Sequence, residues 1–579
     1  MRLLLICTVS VLIALWACQT RKATSSLVQA PPPTPENVLG FCGSPSLALD
    51  APPGTNGTLV PLFAGLDNIK YPVSTSSKMA QRYFNQGLML AYGFNHAEAA
   101  RSFQEAARQD PDCAMAYWGL AWVLGPNYNG GMEKDILPRA LDALAQAKLH
   151  LHKVSQKEKD LILALEKRYP SNAETDPAPY YEAFATAIRQ VMNKYPDDAD
   201  IAAFTGEALM DLHPWDLWEK AGQPKPWTPE IVAIGEKVLA LHPNHPQGLH
   251  LMMHIMEASP TPEKALPYAN ILRFLVPGSG HLTHMPSHLY INTGDFHEGA
   301  LANERAVKID SAYIESCHVA GVYPLAYYPH NWHFLAACAA LEGRGDRALK
   351  ASKYMADYTV DQEIMRDPSM TTLQHYYSIP WYIMVKFSRW NAILSEKEPD
   401  PALVYPRIIW HYARGMAYCG KNKVDTAQKE LDAIRILEST PSLQTMTIWE
   451  INNAIDLVHI AQNVLEAEIA FKQGNTARAI ELYTKAVAQE DLLNYNEPPD
   501  WFFSVRHPLG HVLLQAGKYA EAEMVYREDL KEWKNNGWAL MGLYQSLVKQ
   551  GKTTEAQSVK KRYDEAWKYA DAPLNSSVI

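Results

Sequence analysis

Histidine is the residue type that could do chemistry in this chain, and it is concentrated in one stretch. Of the 20 histidines, 11 lie between His242 and His333. His250 and His254 form an i,i+4 pair, as do His284 and His288, and in a helix each pair projects from one face. The two pairs are 34 residues apart, member for member. His281 precedes the second pair, and His330 and His333 follow it. A neutral imidazole is a common metal ligand, and an i,i+4 pair can chelate a single ion. Glu207 and Asp211 make a further i,i+4 pair upstream. They would add hard oxygen ligands, with Glu207 a candidate general base. A mixed histidine and carboxylate set suits a divalent transition metal such as Zn, Fe or Mn, with donors enough for two ions. The competing reading is a set of packing histidines that hydrogen-bond one another and their aromatic neighbours.

Helical hairpins must position these residues. Gly87, Ala99, Phe103, Ala106 and Pro111 have the spacing of two antiparallel helices brought close by small residues, filled by an aromatic ring and ended by proline. The phase returns at Gly415 and Ala427, then at Ala479 and Tyr483. It returns again at Gly510, Ala522 and Tyr526, and at Gly551 and Ala556. In the middle, Ala265, Gly299 and Ala348 stand where the packed small residue of a second helix belongs. Counting 15 residues back from each gives His250, His284 and His333. Counting 11 back from the first two gives His254 and His288, and 18 back from the last two gives His281 and His330. The histidines are therefore in phase across three successive first helices. Irregular steps predict inserts around Tyr323 to Pro329 and around Asn496 to Trp501, and a long loop from His213 to Pro229. No strand-like alternation competes, so the fold class is all-α, a solenoid of about nine to eleven hairpins.

These hairpins resemble the tetratricopeptide repeat. Several blocks also resemble a particular bacterial group of such proteins: Ala91 to Ala99, His245 to His254, His284-Met285-Pro286-Ser287-His288, Tyr327 to His333, and Tyr495 to Trp501. The resemblance covers roughly residues 75 to 565 and implies a fold but no activity. In this repeat the first helices line a concave groove, so it implies that His250, His254, His281, His284, His288, His330 and His333 meet there.

Composition sets the outer limits. With 47% apolar and 20% charged residues the chain can bury a large core. A net charge of -10 with no basic block argues against nucleic acid as a partner. The first residues read as a targeting segment, an apolar run from Leu3 to Ala17 behind Arg2. Leu15-Trp16-Ala17-Cys18 resembles a bacterial lipoprotein box, which implies cleavage before a lipidated Cys18. That predicts a signal peptide at 1–17, a lipid-anchored tether at 18–71, a repeat array with the histidine-rich groove at 72–390 and a second array at 391–579. It also predicts an envelope location, at the outer membrane facing the periplasm. No HExxH, phosphate-binding Gly-Lys-Ser/Thr, GxSxG or CxxCH motif is present. Three functions fit: a groove that binds a protein, peptide or small molecule beside a metal site; a metal-dependent hydrolase or oxidoreductase; or a metal storage or delivery protein.

Overall fold

The computed structural model describes Leu49 and residues 57–67, 70–317 and 323–579. The leader, Cys18 and most of the tether lie outside the described residues. Within them the chain is helical almost throughout, and successive helices pair antiparallel into twelve hairpins, from Lys78–Tyr92 with His96–Gln109 to Gly537–Lys549 with Thr553–Ala566. The one sheet described has two strands of two residues each, Thr447–Ile448 and Asn452–Asn453. The all-α repeat architecture expected from the spacing is the one observed, with one hairpin more than the upper end of the expected nine to eleven. No described helix is long and apolar enough to cross a membrane.

The small residues act as the spacing requires. A Cβ on Gly87 would stand 2.9 Å from the Phe103 ring, and one on Gly119 would stand 2.5 Å from it. Phe103 is wholly buried, so two glycines on neighbouring first helices make its slot. Tyr526 repeats the arrangement between Gly510 and Gly542. Many of the hairpin turns need a single left-handed residue. Glycine supplies it at Gly294, Gly474, Gly517 and Gly551, but Phe94 supplies it in the first hairpin at φ 53.

The inserts take distinct forms. His213 to Pro229 is a loop pinned by a bridge between Trp218 and Pro224. Residues 491–505 form a loop that reaches from the C-terminal hairpins to the centre of the chain. That reach is part of a wider closure. Lys534 pairs with Glu263 at 3.0 Å, Lys220 donates to the Leu493 carbonyl at 2.8 Å, and Trp538 Nε1 donates to the Ala340 carbonyl at 3.3 Å. Two apolar cores result, one running from Val60 to Tyr290 and the other from Ile291 to Leu574. The boundary expected at residue 390 therefore falls inside the second core. The end of the expected tether is also folded: Val60 and Leu66 are buried, and the Phe63 amide donates to Gln86 at 2.8 Å.

Removing the Phe103 ring is expected to cost about 3–5 kcal/mol. Gly119→Ala, which crowds the same slot, is expected to cost about 1–3 kcal/mol. Urea melts followed by circular dichroism should show both midpoints falling, with Phe103→Ala falling further.

Candidate metal centre

Four helices bring the histidines together. His250 and His254 lie on Pro246–Glu257, His281 and His284 on Gly280–His284, His288 on Pro286–Thr293, and His330 on Tyr328–Leu341. Pro246 at the first turn of one helix and Pro286 at that of another start these elements without a backbone hydrogen-bond loss. All of these histidines but His330, which is partly exposed, are buried.

The side chains form two triads. His250, His254 and His281 each offer a ligand atom within 4.8 Å of the others, and so do His284, His288 and His330. A third group, sharing His288, adds Glu257 and Glu497. The triads abut: ring centroids of His254 and His288 are 6.1 Å apart, and those of His281 and His284 are 6.0 Å apart.

Most of the rings are oriented from behind through Nδ1. His250 Nδ1 is 2.6 Å from the Tyr92 carbonyl, His254 Nδ1 is 3.0 Å from Glu257 Oε1, and His284 Nδ1 is 2.7 Å from Asn303 Oδ1. The Asn303 amide donates to the Gly299 carbonyl at 2.8 Å, which leaves its oxygen to accept from His284. His288 Nδ1 lies 2.9 Å from Glu257 Oε2 and also against Glu497 Oε2, at ion-pair distance but without the angles of a hydrogen bond. A carboxylate or carbonyl on one ring nitrogen is how proteins fix the tautomer of a metal-ligating histidine.

With Nδ1–H committed, Nε2 of His250, His254 and His284 carries the lone pair, whereas His281 Nδ1 has no partner and leaves its Nε2 free to carry the proton. His284 Nε2 and His288 Nε2 face each other at 2.9 Å, and His250 Nε2 and His281 Nε2 at 3.2 Å. Two lone pairs at such distances repel unless a proton or a cation lies between them. Burial alone would lower His288, but the Glu497 and Glu257 carboxylates outweigh it and raise its pKa to about 10. His288 is then an imidazolium that donates to His284. Burial and the neighbouring rings push His250, His281, His284 and His330 well below the usual imidazole range. Burial pushes Glu497 up to about 7, whereas His254 and His288 overcome burial and hold Glu257 below the usual carboxylate range. His254 Nε2, His281 Nδ1, His330 Nδ1, Glu257 Oε2 and Glu497 Oε2 are buried with no hydrogen-bond partner.

Aromatic rings wall the cluster, several from strained backbone. Phe94, Trp215 and Trp449 all have left-handed φ, at 53, 57 and 52 degrees. The Phe94 ring is 4.5 Å from His250, Trp215 is 5.7 Å from His254, and Trp449 is 6.4 Å from His330. An aromatic residue in that region costs on the order of 1–2 kcal/mol. Such outliers gather where geometry is held for a purpose.

The structure departs from the sequence reading at three residues. His333 joins neither triad; its ring packs 5.1 Å from Phe502 and 5.7 Å from His375. Residues three apart on a helix are rotated about 60° from one another. His330 thus faces the preceding hairpin and His333 the following one. Glu207 and Asp211 also stand outside the triads. Glu207 accepts from Gln247 at 2.7 Å, and Asp211 pairs with buried Arg168 at 2.8 Å. A buried guanidinium claims that carboxylate, and burial next to Asp211 raises Glu207 well above the usual range. His507 is likewise committed elsewhere, between Lys386 Nζ at 2.7 Å and Asp529 at 3.1 Å. The carboxylates that do reach the rings are Glu257 and Glu497. The first was visible as an i,i+3 partner of His254, and the second lay in the recognised insert without a signal for where the insert would go.

Comparison with known sequences and structures gives one short repeat match and distant likenesses. The tetratricopeptide repeat profile matches residues 85–124. No curated protein matches the chain. Among solved structures, the human IFIT1 dimer with m7Gppp-AAAA is 12% identical over 85% of this chain and 90% of its own, with a TM-score of 0.30. Yeast Tom70 is 14% identical over 83% and 89%, with a TM-score of 0.26. The APC/C hetero-tetramer Cut9-Hcn1 is 13% identical over 86% and 79%, with a TM-score of 0.30.

Glu257→Ala strips the partner from His254 and one of two carboxylates from His288. In chelator-treated protein it is expected to cost about 1–3 kcal/mol, seen as a lower urea midpoint. A double Glu257→Ala/Glu497→Ala variant, which leaves His288 with no buried counter-charge, should fall further.

Proposed function

We propose that this chain is a metalloprotein whose helical repeats cage a histidine centre for transition-metal ions beside a groove that receives a small ligand. The observation that carries this reading is the orientation of the rings. Nδ1 of His250, His254 and His284 is tied to an oxygen behind it, and the opposite nitrogens converge. The inner nitrogens have only one another for partners, through the His284–His288 and His250–His281 contacts, and His254 Nε2 has none. A metal ion in each triad would accept these lone pairs, with the shared protons displaced as it binds.

A second reading makes the centre catalytic, acting on its ligand by hydrolysis or oxidation. The strained rings of Phe94, Trp215 and Trp449 favour it, because Trp215 and Trp449 are about two-fifths exposed and reach from the surface to the ligand set. Storage is the weakest of the three, since a store has no use for a walled approach. The leader and Cys18 support a lipid-anchored envelope protein with the array in the periplasm, where such ions are acquired without competition from cytosolic thiols.

Metal analysis tests the proposal. Full-length protein purified in detergent under metal-replete conditions should carry transition metal. His254→Ala/His288→Ala should lose it, and His297→Ala, a ring stacked on Tyr569 away from the centre, should keep it. Equal and negligible metal in all three proteins would end the metal reading.

A further inference from the structure

We propose that Lys386 is a nucleophilic amine that captures an aldehyde or ketone as a protonated imine, in a cavity of the C-terminal hairpins that shares no residue with the histidine centre. The proposal does not rest on the metal reading.

Three helices set the reacting groups in a row. Lys386 ends the helix Thr371–Lys386, His507 lies in the first turn of Arg506–Gln515, and Asp529 lies on Tyr519–Glu532. Lys386 Nζ donates to His507 Nδ1 at 2.7 Å, and His507 Nε2–H donates to Asp529 Oδ2 at 3.1 Å. The Asn536 amide donates to the same carboxylate oxygen at 2.8 Å. His507 and Asp529 are buried, whereas Lys386 keeps part of its surface. Asp529 thereby fixes the tautomer that leaves His507 Nδ1 as an acceptor facing the amine. A nucleophile, a base within hydrogen-bond reach and a third group that orients the base make up the arrangement that activates a weak nucleophile. A lysine taken out of water is ordinarily paired with a carboxylate. This one aims its proton at an imidazole. Burial lowers the Lys386 ammonium to about 7, against the opposing charges of Asp529 and Glu490, so the free amine is accessible near neutral pH.

The cavity supplies the room. Its volume is about 360 Å³, at the small end of the roughly 300–1,000 Å³ of ligand sites. Lys386 lines it together with Tyr382, Trp390, Tyr412, Trp501 and Phe503. The Phe503 ring lies 5.3 Å from Lys386 Nζ, which places the amine at that wall. Such walls select a carbonyl compound with an aromatic or apolar body.

The step balances without a co-reactant. The ammonium gives a proton to His507 Nδ1. The free amine then attacks the carbonyl carbon, forming the carbon–nitrogen bond as the π pair moves to oxygen. His507 returns the proton to that oxygen. The nitrogen next gives a second proton to His507, which passes it to the new hydroxyl, and the carbon–oxygen bond breaks to release water. A protonated imine remains. It carries the same single positive charge as the ammonium, so the Asp529 charge and the Trp538 ring, 4.0 Å from Nζ, serve both states.

Full-length protein in detergent, incubated near neutral pH with benzaldehyde and sodium cyanoborohydride, tests the proposal. The reductant fixes an imine as a secondary amine that peptide mass mapping can place. Lys386 is expected to be labelled at least about tenfold faster than any exposed lysine. Lys386→Arg should remove that label and leave the others unchanged, and His507→Gln should slow it by at least about tenfold. Unfolding the wild type in urea should erase the preference. Labelling of Lys386 no faster than the exposed lysines, a preference that survives urea, or one unmoved by His507→Gln would overturn the proposal and leave the metal reading standing.

Discussion

The structure depends on keeping imidazole lone pairs apart in a place without water. Two nitrogens 2.9 Å from one another cannot both be bare. The chain meets this constraint with a proton on His288, and it supplies Glu257 and Glu497 to hold that proton. Everything that orients the rings serves the same end: the Tyr92 carbonyl behind His250, the Asn303 amide behind His284, and the Gly299 carbonyl that fixes which way Asn303 points.

Closure of the array provides the remaining part. An open solenoid would leave His284 and His288 on a groove wall in contact with water. Here residues 491–505 cross from the C-terminal hairpins, and Asn292 donates to both the Glu257 carbonyl and Glu497 Oε1, tying the crossing to the histidine helices. The two apolar cores meet at Tyr290 and Ile291, within the helix Pro286–Thr293 that carries His288. Backbone strain at Phe94, Trp215 and Trp449 is tolerated because the surrounding packing fixes those rings against the cluster.

Much of this was legible in the sequence, for reasons that can be named. A 34-residue period records a hairpin, and small residues such as Gly87 and Ala265 mark where helices touch, so the fold and the phase of His250, His254, His284 and His288 could be read directly. His281 and His330 were placed by the same count. The count failed at His333 because a 60° rotation along one helix decides which neighbour a ring meets, and spacing alone does not say which side is occupied. It failed at Asp211 because Arg168, more than 35 residues away, outbids the histidines for its charge, and at Glu207 because Gln247 occupies it. Glu497 was out of reach for a different reason. Its contact with His288 crosses 209 residues, and no local pattern encodes where a loop of that kind lands.

That long crossing sets the order in which the centre comes into being. A chain made from its N-terminus presents all six rings once residue 330 has emerged, while Glu497 is still unsynthesised. Until it arrives His288 has only Glu257, and the helices Gly280–His284 and Pro286–Thr293 lack the loop that covers them. Domains generally fold as units during synthesis, N-terminal part first. The enclosure of the histidines is therefore tied to the completion of the chain: an interrupted product carries the rings but not the cover, and only a finished molecule sets Glu497 against His288.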